Sequence, residues 1–460
     1  MSKDKKASKK YFFWLIAGFA VALILRLVLL PYGNHNDLIT NTGWSEWIYI
    51  HGPRGFYENK MWIYDSPTQL PLVNLIYYFN YIIFGKSLAV IALIREFFTT
   101  TNLFPQIAKV WVNFETLFGW TYYSTTPYMT GHVLAMKVIP VISDIAIGLV
   151  IYLIGSKFVT RRKAAFTALL YLFIPFSFYI SSLWGQYDQL PALALLVSFY
   201  LIYLFGEGKS KFKYLFIPLS VICYVVAVEV KPTVIFTAPF FLYYVLRQKP
   251  KILDIIASAL TGLGLYYVTT IPFTAGNVLN YTLNTIIPKV MFAGRNVLAT
   301  QVFNFWEIVS PIRYSSTIYL ILGIKAINWG YIFLILLNAL AIFIVAKKND
   351  IKTMLLGLFI TAGGGIIFAT GMLDRYYFVG LVIFLVLTMF YKKTLLLWLG
   401  AAVLFSINIF TSWGYPVNLQ LHDIFWTNYP LVRLLSFVQV TIFIAAVVIC
   451  LRYLKAFRSR

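Results

Sequence analysis

HVLAMKVIPVISDIAIGLVIYLIGS (132–156), KFVTRRK (157–163) and AAFTALLYLFIPFSFYISS (164–182) decide the fold. The first run is long enough to cross a hydrocarbon core of about 30 Å as a helix, and the third nearly so. The seven residues between them carry Lys157, Arg161, Arg162 and Lys163 and no acidic side chain. Basic residues gather in short cytoplasmic loops, so the chain crosses the membrane, turns at Lys157–Lys163 and crosses back.

The same alternation runs outward in both directions. Basic clusters recur at the N-terminus (Lys3 to Lys10), at KSKFK (209–213), RQKPK (247–251), KKNDIK (347–352), Lys392–Lys393 and Lys455–Arg460. Between consecutive clusters the chain crosses an even number of times. The apolar runs 12–31, 132–156, 164–182, 189–206, 213–230, 232–246, 252–272, 317–345, 352–371, 375–391, 394–411 and 433–453 supply about twelve transmembrane helices with both ends cytoplasmic. The first run follows a basic start but is too long for a signal-peptide h-region and lacks a small-residue cleavage site, so it reads as an uncleaved span.

Composition agrees. Hydrophobic residues are 60% and charged residues 12% of the chain, and mean hydropathy is +0.78, where a soluble domain is about half apolar and a quarter charged. The net charge of +22 would point to nucleic acid in a soluble chain, but here it belongs to the cytoplasmic loops. Cys223 and Cys450 lie far apart in apolar runs and support neither a disulfide framework nor a cysteine metal site. No repeat or appended soluble domain interrupts residues 1–460, which read as a single all-α polytopic membrane domain. Its outer side holds a long first loop, 32–131, and a second, 273–316. Within the first loop, Leu70–Phe84 and Ser87–Phe98 are each too short to span comfortably and are expected to lie in the interface or to form a re-entrant pair; if they cross instead, Lys86 is the cytoplasmic turn and the parity holds.

Ionisable residues near the outer side carry any chemistry, because charge at membrane depth is costly. Asp37, in Asn34-His-Asn-Asp37, stands a few residues beyond the first span. By itself it reads as a turn residue sooner than as a general base. Asp65, in YDSPTQLP (64–71), reads alone as a surface residue. Lys137 and Asp144 fall about 10 Å apart on one helix face. Asp144 is expected to pair with another buried polar group, and Lys137 to attract an anion. In SSLWGQYDQ (181–189), Gly185 permits a tight turn and Trp184 and Tyr187 suit the interface, whereas Gln186, Asp188 and Gln189 are costly at that depth unless they bind something. Lys231-Pro232 reads as a helix corner. Arg295 and Arg375 are candidates to clamp a phosphate bidentately, or to snorkel.

The order of these features resembles the GT-C superfamily of membrane glycosyltransferases, which take sugar from a polyprenyl-phosphate carrier. The dolichol-pathway glucosyl- and mannosyltransferases and the bacterial relatives of the GPI-anchor mannosyltransferases are the most similar. The likeness runs from Arg26 to about Tyr391. It comprises Asp37 after the first span, YDSPTQLP (64–71), Lys137 to Ser143-Asp144, the Trp184-Gly-Gln-Tyr-Asp188 hairpin, Lys231-Pro232, Phe292-Ala-Gly-Arg295 with Asn304-Phe-Trp306, and Asp374-Arg-Tyr-Tyr377. Leu373 stands where many relatives carry a histidine.

The resemblance implies an inverting, metal-independent and cofactor-free transfer of a hexose, mannose ahead of glucose, on the extracytoplasmic face. The donor would be a polyprenyl- or dolichyl-phosphate sugar and the acceptor a glycan or lipid-linked molecule. The membrane would be the cell membrane of a prokaryote or the endoplasmic reticulum of a eukaryote. Asp37 is implied as the base. Arg295, Arg375, Lys137 and Lys231 would meet the donor phosphate, and Trp184, Gln186, Asp188, Asp65 and Trp306 the sugar or acceptor. Two alternatives stand beside it: a transporter or flippase of lipid-linked sugars, and a protein mannosyltransferase or oligosaccharide transferase. The lack of a second carboxylate beside Asp37 speaks against the last.

Overall fold

The computed structural model describes residues 2–31, 36–59, 67–100, 127–291, 296–310, 314–412 and 419–456. The chain is a multi-pass membrane protein, mostly helical over the described residues. Among the described residues, 8 helices are long and apolar enough to cross a membrane: Gly131–Phe158, Gln189–Glu207, Lys213–Val230, Ile252–Phe273, Ala326–Lys347, Ile351–Phe368, Lys392–Ser412 and Tyr429–Leu454. A ninth arises if Arg161–Phe173 and Pro175–Trp184, bent by 53°, form one broken span.

Three further expected runs are present as helix but fall short of that length. The described apolar part of the first is Phe13–Leu29. The run 232–246 divides into a 3-10 turn, Pro232–Thr237, and a helix, Ala238–Arg247. The run 375–391 holds the helix Phe378–Thr388. Proline explains the second case: Pro232 and Pro239 each remove a backbone donor. Asn338 repairs the gap, donating to Phe236 O at 2.9 Å and accepting from Phe240 N at 3.1 Å. A side-chain amide thus bridges a donor and acceptor that an unbroken helix would join directly.

The chain forms two compact units. The first comprises residues 1–190, 270–286 and 413–419. In it the helix Ser2–Leu29 packs on Val138–Phe158 and Arg161–Phe173. The helix Pro71–Thr100 packs on Asn36–His51 and Pro127–Ala135. This corrects the two-piece reading within the first loop: 71–100 is one continuous helix, with no break at Gly85-Lys86. Gly85 serves close approach instead. The His132 imidazole fills the space of its missing side chain, and a Cβ there would lie 2.3 Å from the ring.

The second unit comprises residues 191–269, 287–412 and 420–460. Its centre is the helix pair Ile351–Phe368 and Phe378–Thr388, buried almost throughout. Its peripheral helical stretch, residues 252–269, leaves Leu260, Leu263 and Val268 exposed, the apolar surface a helix presents to lipid. Two short strand pairs complete the unit. Ala299–Thr300 pairs in parallel with Met372–Leu373, and Leu320–Ile321 pairs antiparallel with Ile324–Lys325.

Candidate functional site

In the first unit the hairpin at 179–188 is built around Gly185. The π-turn Tyr179–Trp184 ends there, in the left-handed region at φ +73°, where glycine carries no Cβ penalty. Ile180 O accepts the backbone N–H of Gln186 at 3.0 Å. A Cβ on Gly185 would lie 2.6 Å from Leu38 Cδ2 and 2.8 Å from Lys137 Cγ. The glycine therefore lets the hairpin settle directly against the start of the helix Asn36–His51 and against Lys137.

That contact carries the central geometry. Gln186 Nε2 donates to Asp37 Oδ2 at 2.6 Å. Asp37 lies in the first turn of its helix, where a carboxylate is stabilised by the unpaired N–H groups and the helix dipole. It is half-buried. Behind it the hairpin is pinned from several sides. Tyr187 OH accepts from Asn80 Nδ2 at 2.8 Å and its ring stands edge-on to Tyr77. Burial, aided by Tyr77, pushes the Tyr187 hydroxyl well above the usual tyrosine range, so it stays neutral. Asp188 and Gln189 are both buried. With its amide oriented to satisfy both neighbours, Gln189 donates to Gln186 O at 2.8 Å and accepts from Ser181 N at 3.1 Å. The hairpin that positions Gln186 is thus held from both of its ends.

Five of the expected site residues therefore gather in one unit: Asp37, Lys137, Trp184, Gln186 and Asp188. Lys137 is oriented inward. It is buried and its ammonium donates to Leu30 O at 2.9 Å, at the end of the first helix, where unpaired carbonyls favour a cation. The described contact makes it a clamp on that helix end. Asp65 lies outside the described residues, as does Arg295.

Asp144 does pair, and its partner was not singled out from sequence. Arg26 Nε donates to Asp144 Oδ2 at 2.7 Å, and both side chains are fully buried. The other guanidinium nitrogens donate to Ala22 O, Leu172 O and Ser177 Oγ at 2.9–3.1 Å. Asp144 also accepts from Tyr171 OH and, at 2.9 Å, from Ser181 Oγ. The network ties the first helix to the broken span 161–184, whose end forms part of the hairpin. A lone arginine inside an apolar run requires such a partner, and that was the available signal.

In the second unit Lys231 Nζ lies 4.0 Å from the Tyr376 ring centroid, a cation–π distance. Asp374 is fully buried and accepts from Ser412 Oγ at 2.6 Å and Arg375 N at 2.8 Å. Arg375 Nη1 stands 3.6 Å from the same carboxylate. Lys231, Asp374, Arg375 and Tyr376 thus form one cluster. The strand pair 299–300/372–373 brings the segment following 292–295 beside the residues that precede Asp374. Trp306 is apart from this chemistry: it is fully buried and donates its indole N–H to Phe368 O at 2.9 Å, a packing role instead of the expected contact with sugar. Glu229, also unanticipated, is buried and accepts from Thr269 Oγ1 at 3.1 Å. Among the described residues, no group of three or more His, Cys, Asp or Glu side chains is placed to hold a metal ion.

No family model matches the chain, and no curated protein matches it.

Gly185→Ala is expected to destabilise the protein by about 1–3 kcal/mol from the backbone alone, and to move Gln186 off Asp37. Thermal unfolding in detergent, compared with Gly208→Ala, checks this. Gly208 also has positive φ but nothing within 4 Å, so it reports the backbone contribution without the clash.

Proposed function

We propose that the protein is an inverting glycosyltransferase that moves a hexose, mannose ahead of glucose, from a polyprenyl- or dolichyl-phosphate carrier to a hydroxyl acceptor on the extracytoplasmic side. The observation that carries this reading is the Asp37 carboxylate, half-buried at a helix start and held by Gln186 of the Trp184–Asp188 hairpin at 2.6 Å. Transfer with inversion needs one oriented carboxylate to take the proton from the acceptor hydroxyl. The acceptor oxygen then bonds to the anomeric carbon as the bond to the carrier phosphate breaks, and the phosphate departs with the electron pair. The topology proposed with it has twelve crossings, counting the broken and short helices as spans.

A second reading, transport of a lipid-linked sugar, is favoured by one observation: the bent pair Arg161–Phe173 and Pro175–Trp184 beside the buried Arg26–Asp144 pair. Broken helices are common at transporter binding sites. Label transfer separates the two. Liposomes holding the protein are given polyprenyl-phosphate hexose labelled in the sugar, with a membrane lipid extract as acceptor source. The transferase reading requires label to leave the carrier for a second molecule. Label that changes leaflet while still on its carrier supports transport and removes the transferase.

A further inference from the structure

The short hairpin before the helix Ala326–Lys347 has an unusual tip. Leu320–Ile321 and Ile324–Lys325 are joined by two residues, Leu322 at φ +51° and Gly323 at φ +78°. Positive φ at both positions of a two-residue turn is the type I′ arrangement, which favours asparagine, aspartate or glycine at the first position. Leucine there is strained, since a bulky residue rarely adopts this conformation. It is also 88% exposed, with Ile318 at 77% and Leu320 at 58%. A strained, exposed leucine at the apex of an apolar hairpin lacks a folding rationale in water.

The neighbouring structure supplies one. Ala326 N and Ile327 N, the first donors of the following helix, bond to Tyr319 O and Ser316 O at 2.9 and 3.0 Å. Trp329 Nε1 donates to Ile321 O at 3.0 Å. The hairpin is therefore the rigid N-terminal cap of that helix. The helix has 22 residues, about 33 Å at 1.5 Å per residue, which matches a hydrocarbon core of about 30 Å. It ends at Lys347 beside Lys348. Its other end, and the hairpin with it, falls at the opposite membrane boundary. Tyr314 stacks on Tyr319 and Trp329 lies one turn into the helix, the residue types of an interfacial aromatic belt. The outer edges of a two-stranded pair have unmet backbone groups, which cannot enter hydrocarbon. That limits the depth to the head-group layer.

We propose that residues 318–324 form a lipid-inserted anchor, with Leu322 and Ile318 at the boundary of head groups and acyl chains in the leaflet opposite Lys347–Lys348. The occupant is the phospholipid interface, whatever chemistry the first unit performs. The test uses full-length Leu322→Cys and Ile318→Cys, each labelled with an environment-sensitive NBD probe in phosphatidylcholine vesicles, with identically treated wild-type protein as background for Cys223 and Cys450. The expected result is blue-shifted emission at both positions, quenched by lipids bearing a nitroxide near the head group and little affected by aqueous iodide. Emission at the aqueous wavelength with strong iodide quenching overturns the proposal. Blue-shifted emission that nitroxide lipids leave unchanged also overturns it, because a second protein copy then covers the hairpin.

Discussion

Asp37→Asn is expected to lower turnover by about 100- to 10,000-fold, the usual contribution of a positioned general base, with little change in thermal stability or donor binding. The carboxamide keeps the size of the side chain, and its oxygen still accepts from Gln186 Nε2, now 2.6 Å from Asp37 Oδ2. What it loses is the capacity to take a proton. A fall in the turnover number with an unchanged KM for donor therefore isolates the chemical step. An Asp37→Asn protein that unfolds at the same temperature and turns over at the wild-type rate removes the base from the account. Gln186→Leu should give a smaller loss, because it removes one bond that orients the carboxylate without changing the carboxylate's chemistry.

The second large effect concerns the Arg26–Asp144 pair. Asp144→Ala should destabilise the first unit by about 3–5 kcal/mol, since it leaves a buried guanidinium without its counter-charge. The cost falls on charge more than on packing: Arg26 keeps its bonds to Ala22 O, Leu172 O and Ser177 Oγ, but those acceptors do not neutralise it. Arg26→Met combined with Asp144→Leu should recover most of that loss, because apolar residues of similar volume replace a buried pair at little net cost. Unfolding of Arg26→Met, Asp144→Leu, the double variant and the wild type, in one detergent, measures the coupling. A double variant as unstable as the sum of its parts would contradict a compensated charge pair.

Much of the membrane architecture was legible from the alternation of apolar runs and basic clusters, because both follow from bilayer thickness and charge alone. The misreading at 70–98 has a local cause. Gly85-Lys86 looks like a break between two short apolar pieces, yet the glycine is small for the sake of the His132 ring, and long-range packing of that kind leaves no periodic trace. In the segment 181–189, the polar residues Gln186, Asp188 and Gln189 at membrane depth drew attention, and the contact of Gln186 with Asp37 spans 149 residues, beyond any spacing rule. Lys137 and Trp306 show the converse. Each is polar or aromatic in a suggestive place, and each is engaged by a backbone carbonyl. Arg26 was visible as a charge in a span, but only tertiary structure names its partner.

The most direct measurement is the anomeric configuration of the hexose after transfer, read by NMR on product made from a polyprenyl-phosphate donor of known configuration. Activation of an acceptor hydroxyl by the single carboxylate of Asp37 predicts the configuration opposite to the donor's, with one polyprenyl phosphate released per sugar transferred. Product that keeps the donor's configuration, or inverted product formed equally well by Asp37→Asn, contradicts it.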